Sequence, residues 1–317
     1  MQHPDTPGAE QPLRRNGASI VLVGSGGAGV MTAGNMLLEA AAHAGYYALM
    51  TRSSGPQIRG GEAAAMLRIA THPIHCMEDR FDVLAAVDWE NVQRFNAEIP
   101  LGAASLIVGD PDQGDPPEVY LRSGAARASL PLKKIAKSVP EGRANMVLLG
   151  TVAALLGLPD EAVAQAVEST LGKRPSALAP SLAAVAAGRA AADAIELRFL
   201  LAAPPTASGP RWLLTGNEAA GYGALKGGVR FVAAYPITPA TELLEWLSPA
   251  LAEVGGTLVQ AEDELASINM VIGGSYGGVP ALTATSGPGL SLMIEALGLA
   301  VAAEIPLVVV NVMRVGP

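Results

Sequence analysis

The chain has 317 residues, enough for about two domains. Half of them are hydrophobic and only 4% aromatic, with abundant Ala, Gly and Val, which suits α/β layers joined by tight turns. A formal net charge of −8 argues against a nucleic-acid partner. A single cysteine, Cys76, excludes an intramolecular disulfide and any four-thiolate iron–sulfur centre built from this chain alone.

Residues 1–17 are polar, contain proline and lack an apolar core, so they read as a disordered lead-in and not as a secretory signal. An apolar run, residues 19–23, is then followed by Gly24-Ser25-Gly26-Gly27-Ala28-Gly29 and by a helical pattern over residues 30–42. Strand, glycine-rich turn and helix is an arrangement that can hold a phosphate on backbone N–H groups, or can simply let helix and strand pack closely. The next strand, residues 46–50, runs into Thr51-Arg52-Ser53-Ser54 with no acidic residue to take a ribose, which argues against a dinucleotide site. A turn-forming stretch follows, Ser54-Gly55-Pro56-Gln57-Ile58-Arg59-Gly60-Gly61. Its Arg59 suits a phosphate, a partner's carboxylate or an ordinary loop ion pair.

Strands are expected over residues 62–70, 81–87 and 104–108, a helix over 88–96 and a loop over 110–118. The basic pairs Arg14–Arg15 and Lys133–Lys134 read as solvated surface, and Cys76 as structurally inert. Amphipathic helices are expected over residues 145–156 and 160–170. An Ala-rich helix over 180–199 should expose Arg189, Asp193 and Glu196. The Pro- and Ala-rich residues 200–210 read as a linker.

Beyond the linker the pattern alternates regularly. Helices are expected over 216–227, 240–253, 264–276 and 290–302, and strands over 229–234, 257–259, 281–285 and 307–312, so the sheet should be parallel. Chemistry-bearing residues sit where strands end. Thr238 lies inside Tyr235-Pro236-Ile237-Thr238-Pro239, where flanking prolines hold its hydroxyl at the tip of a turn; it suits a substrate contact or a helix cap. Glu262, Asp263 and Glu264 could supply a catalytic carboxylate or could complement a helix N-terminus. Arg314 follows the last strand and could grip a carboxylate with two parallel bonds. The stretch closest to a membrane span, residues 296–312, is interrupted by Glu304 and Pro306, which leaves the cytoplasm as the default location. No repeat of solenoid length is visible.

Taken in order, these motifs resemble the 2-oxoacid:ferredoxin oxidoreductase family, in particular an α subunit with a γ domain fused at its N-terminus. The matching features are the first glycine loop, Gly55–Gly61, Gly216-Asn217-Glu218-Ala219, the Tyr235–Pro239 turn, and Gln260–Glu264 followed by Thr285–Leu290. The resemblance implies an α/β fold with an N-terminal Rossmann-like γ domain (residues 18–199). The linker (200–210) then leads to a parallel-sheet, pyrimidine-type thiamine-diphosphate-binding domain (211–317). It implies thiamine diphosphate shared with a β subunit in an αβ or (αβ)2 assembly, coenzyme A as co-substrate, and ferredoxin as electron acceptor. Magnesium and the iron–sulfur cluster would be held by the β subunit, so no metal site is expected here. Gly109-Asp110 and Gly114-Asp115 fail the magnesium–diphosphate pattern because proline follows each. By resemblance Glu264 is the carboxylate on the aminopyrimidine N1′, Thr238 touches substrate and Arg314 binds the substrate carboxylate. Tyr235, Pro236, Thr285, Ser286 and Gly287 line the cofactor, while Gly24, Gly26, Gly27, Gly29 and Arg59 face coenzyme A. The implied reaction is oxidative decarboxylation of a 2-oxoacid, first 2-oxoglutarate, to an acyl-CoA. The family's loop more usually carries Gln where this chain has Ala28. The chain also ends earlier than the family's α subunit, so a truncated, non-catalytic assembly or coenzyme A-binding module is the alternative.

Overall fold

The computed structural model describes residues 14–54, 61–90, 92–206 and 209–313. It divides into two compact units, Met1–Arg211 and Trp212–Pro317.

The first unit is built on a sheet of order β2-β3-β1-β4-β5-β6. Its strands are β1 (Gly17–Ser25), β2 (Tyr47–Ser54), β3 (Glu62–Ala70), β4 (Val83–Ala86), β5 (Leu106–Gly109) and β6 (Ala126–Ser129). Strand β1 is the centre. Ile20 and Leu22 face one apolar cluster while Val21 and Val23 face another, the two-residue period of a strand buried on both sides. Pairing from β1 through β4 and β5 to β6 is parallel, but β3 runs antiparallel to both β1 and β2. The sheet is therefore mixed, which modifies the Rossmann-like expectation. Residues 55–61 alone separate β2 from β3, and a parallel return needs a crossover of a dozen residues or more.

The helices are α1 (Val30–His43), α2 (Glu118–Leu121), α3 (Leu132–Lys137), α4 (Ala144–Leu156), α5 (Asp160–Leu171) and α6 (Pro175–Ala191). Helix α4 is buried from Asn145 to Leu156 with only Ala154 partly exposed, so the amphipathic helix expected there is a core helix. Two glycines let it cross α6 at backbone contact. A Cβ on Gly150 would overlap the Val185 carbonyl, and one on Gly188 the Val147 carbonyl. Thr151 Oγ1 ties the crossing by donating to Val147 O or Gly188 O, each at 3.0 Å. Gly188→Ala is expected to lower unfolding stability by about 1–3 kcal/mol through overpacking, measured as a fall in denaturation midpoint in urea.

Three expectations are corrected here. Among the described residues of 88–96 the helical part is a 3₁₀ turn, Val92–Phe95, and Asp88 instead holds the glycine loop. The Ala-rich helix starts at Pro175 and ends at Ala191, and Arg189 is half-buried, not exposed. Its Nε lies 2.6 Å from Asp160 Oδ1. Burial pushes its pKa down against the opposing pull of Asp160. The start of the expected linker is also packed: Leu201 is buried, bridges to Arg15 and donates its N–H to Leu156 O at 3.0 Å.

The second unit is a four-stranded parallel sheet of order β10-β9-β7-β8, as expected from the alternation. Its strands are β7 (Phe231–Ala234), β8 (Thr257–Gln260), β9 (Ala281–Thr285) and β10 (Val308–Asn311). Its helices are α7 (Gly216–Lys226), α8 (Thr241–Glu253), α9 (Glu264–Tyr276) and α10 (Gly287–Ala302). Helix α8 packs Leu243, Leu244, Leu247 and Leu251 on one face of the sheet. On the other face Ile268 and Ile272 of α9 meet Met293, Ala296 and Ala300 of α10. The outer sides of α9 and α10 expose Leu265, Met270, Tyr276, Leu292, Ile294, Leu299 and Val301.

Candidate functional site

In the first unit the glycine loop opens a cleft of about 970 Å³. Gly24 does not line it. A Cβ there would meet Val30 and Val87 at 3.1 and 3.3 Å, so this glycine serves strand–helix packing. Gly26, Gly27 and Gly29 do line it, and Gly27 and Gly29 take φ of 95° and 82°, which favour glycine. Gly29 caps α1, and Asn145 Nδ2 donates to its carbonyl at 3.1 Å. The loop is held from behind by Asp88, which accepts from Ser25 N at 2.9 Å and Ser25 Oγ at 2.8 Å.

The N-termini of α1, α4 and α6 all border this cleft, presenting free N–H groups and the positive ends of three helix dipoles. Arg143 and Arg174 are the cap residues of α4 and α6, and Lys133 and Lys137 approach from α3. Glu141 is the single acid among the described lining residues. Lys133 Nζ donates to Gln113. The basic pair that reads as plain surface in sequence thus places Lys133 on an electropositive cleft. Arg59 lies outside the described residues.

In the second unit the motif residues gather at the C-terminal edge of the parallel sheet, where open α/β sheets bind ligands. Tyr235 and Pro236 follow β7, Glu264 follows β8, and Ser286 and Gly287 follow β9. Tyr235 and Thr238 are exposed, while Pro236, Ser286 and Gly287 are half-buried. Thr238 does not cap α8, whose cap position is Ala240. Its hydroxyl makes no hydrogen bond among the described residues.

The acidic trio divides its labour. Glu262 is exposed, and Asp263 caps α9 by accepting from Ala266 N at 2.7 Å. Glu264 is instead buried, at 7% exposure. It packs with Thr285 against Gly289 in the first turn of α10, where a Cβ would lie 2.7 Å from Glu264 Oε1 and would overlap Thr285 Oγ1. Gly289 is therefore part of the site; sequence reading placed it inside the Thr285–Leu290 motif but did not name it as a site residue. Neighbouring hydroxyls bond elsewhere, Ser267 Oγ to Asp263 O at 2.7 Å and Thr285 Oγ1 to Ser286 O at 3.5 Å. The Glu264 carboxylate is left without a donor among the described residues. Its oxygens are not among the fully enclosed, unpartnered atoms of the described residues, so the carboxylate opens to the sheet edge. There it can share a hydrogen bond with a bound group, and the site fits a ligand that offers a hydrogen-bonding nitrogen. Arg314 lies outside the described residues. Among the described residues no group of three or more His, Cys, Asp or Glu could hold a metal ion, and no helix is long and apolar enough to cross a membrane.

Two α/β units, one with an electropositive cleft and one with a buried carboxylate at a parallel-sheet edge, define the class. The chain belongs to the pyruvate ferredoxin/flavodoxin oxidoreductase family, whose model matches residues 19–191. A second model, pyruvate flavodoxin/ferredoxin oxidoreductase, thiamine diP-bdg, matches residues 222–317. The resemblance drawn from the motifs is borne out. A 2-oxoacid:ferredoxin oxidoreductase subunit alpha from Sulfolobus sp. is 34% identical over 94% of this chain and 54% of its own length. The 2-oxoglutarate synthase subunit KorA of Methanocaldococcus jannaschii is 54% identical over 33% of this chain and 28% of its own length. A solved 2-oxoglutarate:ferredoxin oxidoreductase from Magnetococcus marinus, with 2-oxoglutarate, coenzyme A and succinyl-CoA bound, is similar at 35% identity and a TM-score of 0.82. That match covers 96% of this chain and 53% of the other. The chain spans about half the length of the relatives it matches end to end.

Proposed function

We propose that this chain is the γα portion of a 2-oxoacid:ferredoxin oxidoreductase, active with a β subunit in the oxidative decarboxylation of a 2-oxoacid, first 2-oxoglutarate. The observation that carries the reading is Glu264: buried, unpartnered among the described residues, and packed with Thr285 and Gly289 at the sheet edge. Thiamine diphosphate, when bound, supplies a nucleophilic carbon that attacks the oxo group and lets carbon dioxide leave. Glu264 would hold the proton shared with the pyrimidine N1′. Thr238 would present its exposed hydroxyl to substrate, and Arg314 would pair with the substrate carboxylate. Tyr235, Pro236, Thr285, Ser286 and Gly287 would shape the pyrimidine pocket. The β subunit would add magnesium, the diphosphate contacts and an iron–sulfur cluster, and would pass electrons to ferredoxin. The exposed apolar sides of α9 and α10, which begin at this same edge, support a protein partner there.

The first unit would receive coenzyme A in the electropositive cleft. Gly26, Gly27 and Gly29 offer backbone to a phosphate, and Lys133, Lys137, Arg143 and Arg174 supply charge. In an assembled complex, ferredoxin reduction should require both 2-oxoglutarate and coenzyme A. Reduction by 2-oxoglutarate with no effect of coenzyme A would contradict the assignment of the cleft. No reduction with any 2-oxoacid would favour the assembly-module alternative.

A further inference from the structure

Two buried polar atoms in the second unit, Thr283 Oγ1 and Asn311 Oδ1, have no hydrogen-bond partner among the described residues. Thr283 is fully buried in the middle of β9, and Asn311 ends β10. The parallel register sets Val309 opposite Thr283 and Asn311 opposite Thr285, and residues so paired point to the same side of a sheet. Leu282, Ala284, Val310 and Val312 pack on the α8 side, whereas Ala281 and Val309 pack on the side of α9 and α10. Thr283, Thr285 and Asn311 therefore share the second side, and Thr285 lies against Glu264 there. Thr283 and Asn311 are diagonal neighbours, two residues out of register on adjacent parallel strands, which places them roughly 8 Å apart at the backbone from strand spacing and rise. That is too far for these short side chains to bond directly and suits one bridging molecule.

Orphaned buried oxygens are few in native cores, and two on one face, one two residues before Thr285 and one opposite it, point to a shared partner. We propose that Thr283 Oγ1 and Asn311 Oδ1 bind one internal water molecule beneath Glu264, and that Asn311 is thereby a positioning residue for the carboxylate pocket. Thr285 Oγ1, whose own hydrogen bond is long at 3.5 Å, is a third contact for that water. Three polar partners are what buried waters usually have. The water pins the end of β10 to β9 and so fixes the rim on which Thr285, Gly289 and Glu264 sit. The positioning role rests on the reading of Glu264 given above; the water itself does not.

A crystal structure of the chain at a resolution that shows ordered water should reveal one molecule within hydrogen-bond distance of both atoms, lost in Thr283→Val. The absence of that density in the wild type overturns the proposal. In the complex with its partner subunit, titration with thiamine diphosphate followed by near-ultraviolet circular dichroism should show about tenfold weaker binding in Thr283→Val and in Asn311→Leu. The double variant should be no weaker than either single one, and Thr283→Ser should bind like the wild type. Wild-type affinity in Thr283→Val, with Glu264→Gln impaired, overturns the positioning role alone. No binding by the wild-type complex overturns that role together with the reading of Glu264.

Discussion

Glu264→Gln in the assembled complex is expected to lower decarboxylation about 10²–10⁴-fold, the range supplied by one positioned proton-transfer group, while leaving the complex intact. The amide keeps the shape of the carboxylate, so the cradle of Thr285 and Gly289 is preserved, and α9 keeps its Asp263 cap. What is lost is the ability to carry the proton. Assembly is checked by size-exclusion chromatography and turnover by ferredoxin reduction. Turnover near the wild-type rate would remove the role assigned to Glu264.

Removing the two helix-cap cations together, Arg143→Ala with Arg174→Ala, is expected to weaken coenzyme A binding about 100-fold at low salt. Charge-assisted bonds contribute about 1.5–3 kcal/mol when shielded. Both side chains are exposed in the free chain, where a pair contributes at most about 1 kcal/mol. A bound ligand shields them in part, so the lower end of the shielded range, roughly tenfold each, is the expectation. The loss should shrink as salt rises, because exposed charges are screened over about 10 Å at 0.1 M. Pantetheine carries no phosphate, and its binding should not change. Calorimetric titration of both ligands checks this, and an equal loss for pantetheine would show a general disruption of the cleft.

Much of the second unit was legible because its chemistry follows strand ends. Each of β7, β8 and β9 runs straight into a motif, and in a parallel sheet those ends meet on one edge. The division between Asp263 as cap and Glu264 as buried carboxylate was not legible from the residues themselves, and only the family resemblance singled out Glu264. Adjacent acids at a helix start look alike until the neighbouring helix, α10, closes over one of them. Asn311 escaped notice for the same reason, since its significance lies in the register with β9. In the first unit the glycine loop stood out, but Lys133, Lys137, Arg143 and Arg174 come from three separate segments and meet only through the packing of α3, α4 and α6. The antiparallel direction of β3 also went unseen: hydrophobic runs carry no sign of it, and the one available signal, the short connection after β2, was not used.

The central claim is that Glu264 faces a cofactor pocket completed by a second polypeptide. Thiamine diphosphate affinity should therefore be measured for this chain alone, for the β subunit alone and for the two mixed with magnesium. The account predicts tight binding only in the mixture, weakened by Glu264→Gln. Equally tight binding by this chain alone, or a mixture indifferent to Glu264→Gln, would contradict it.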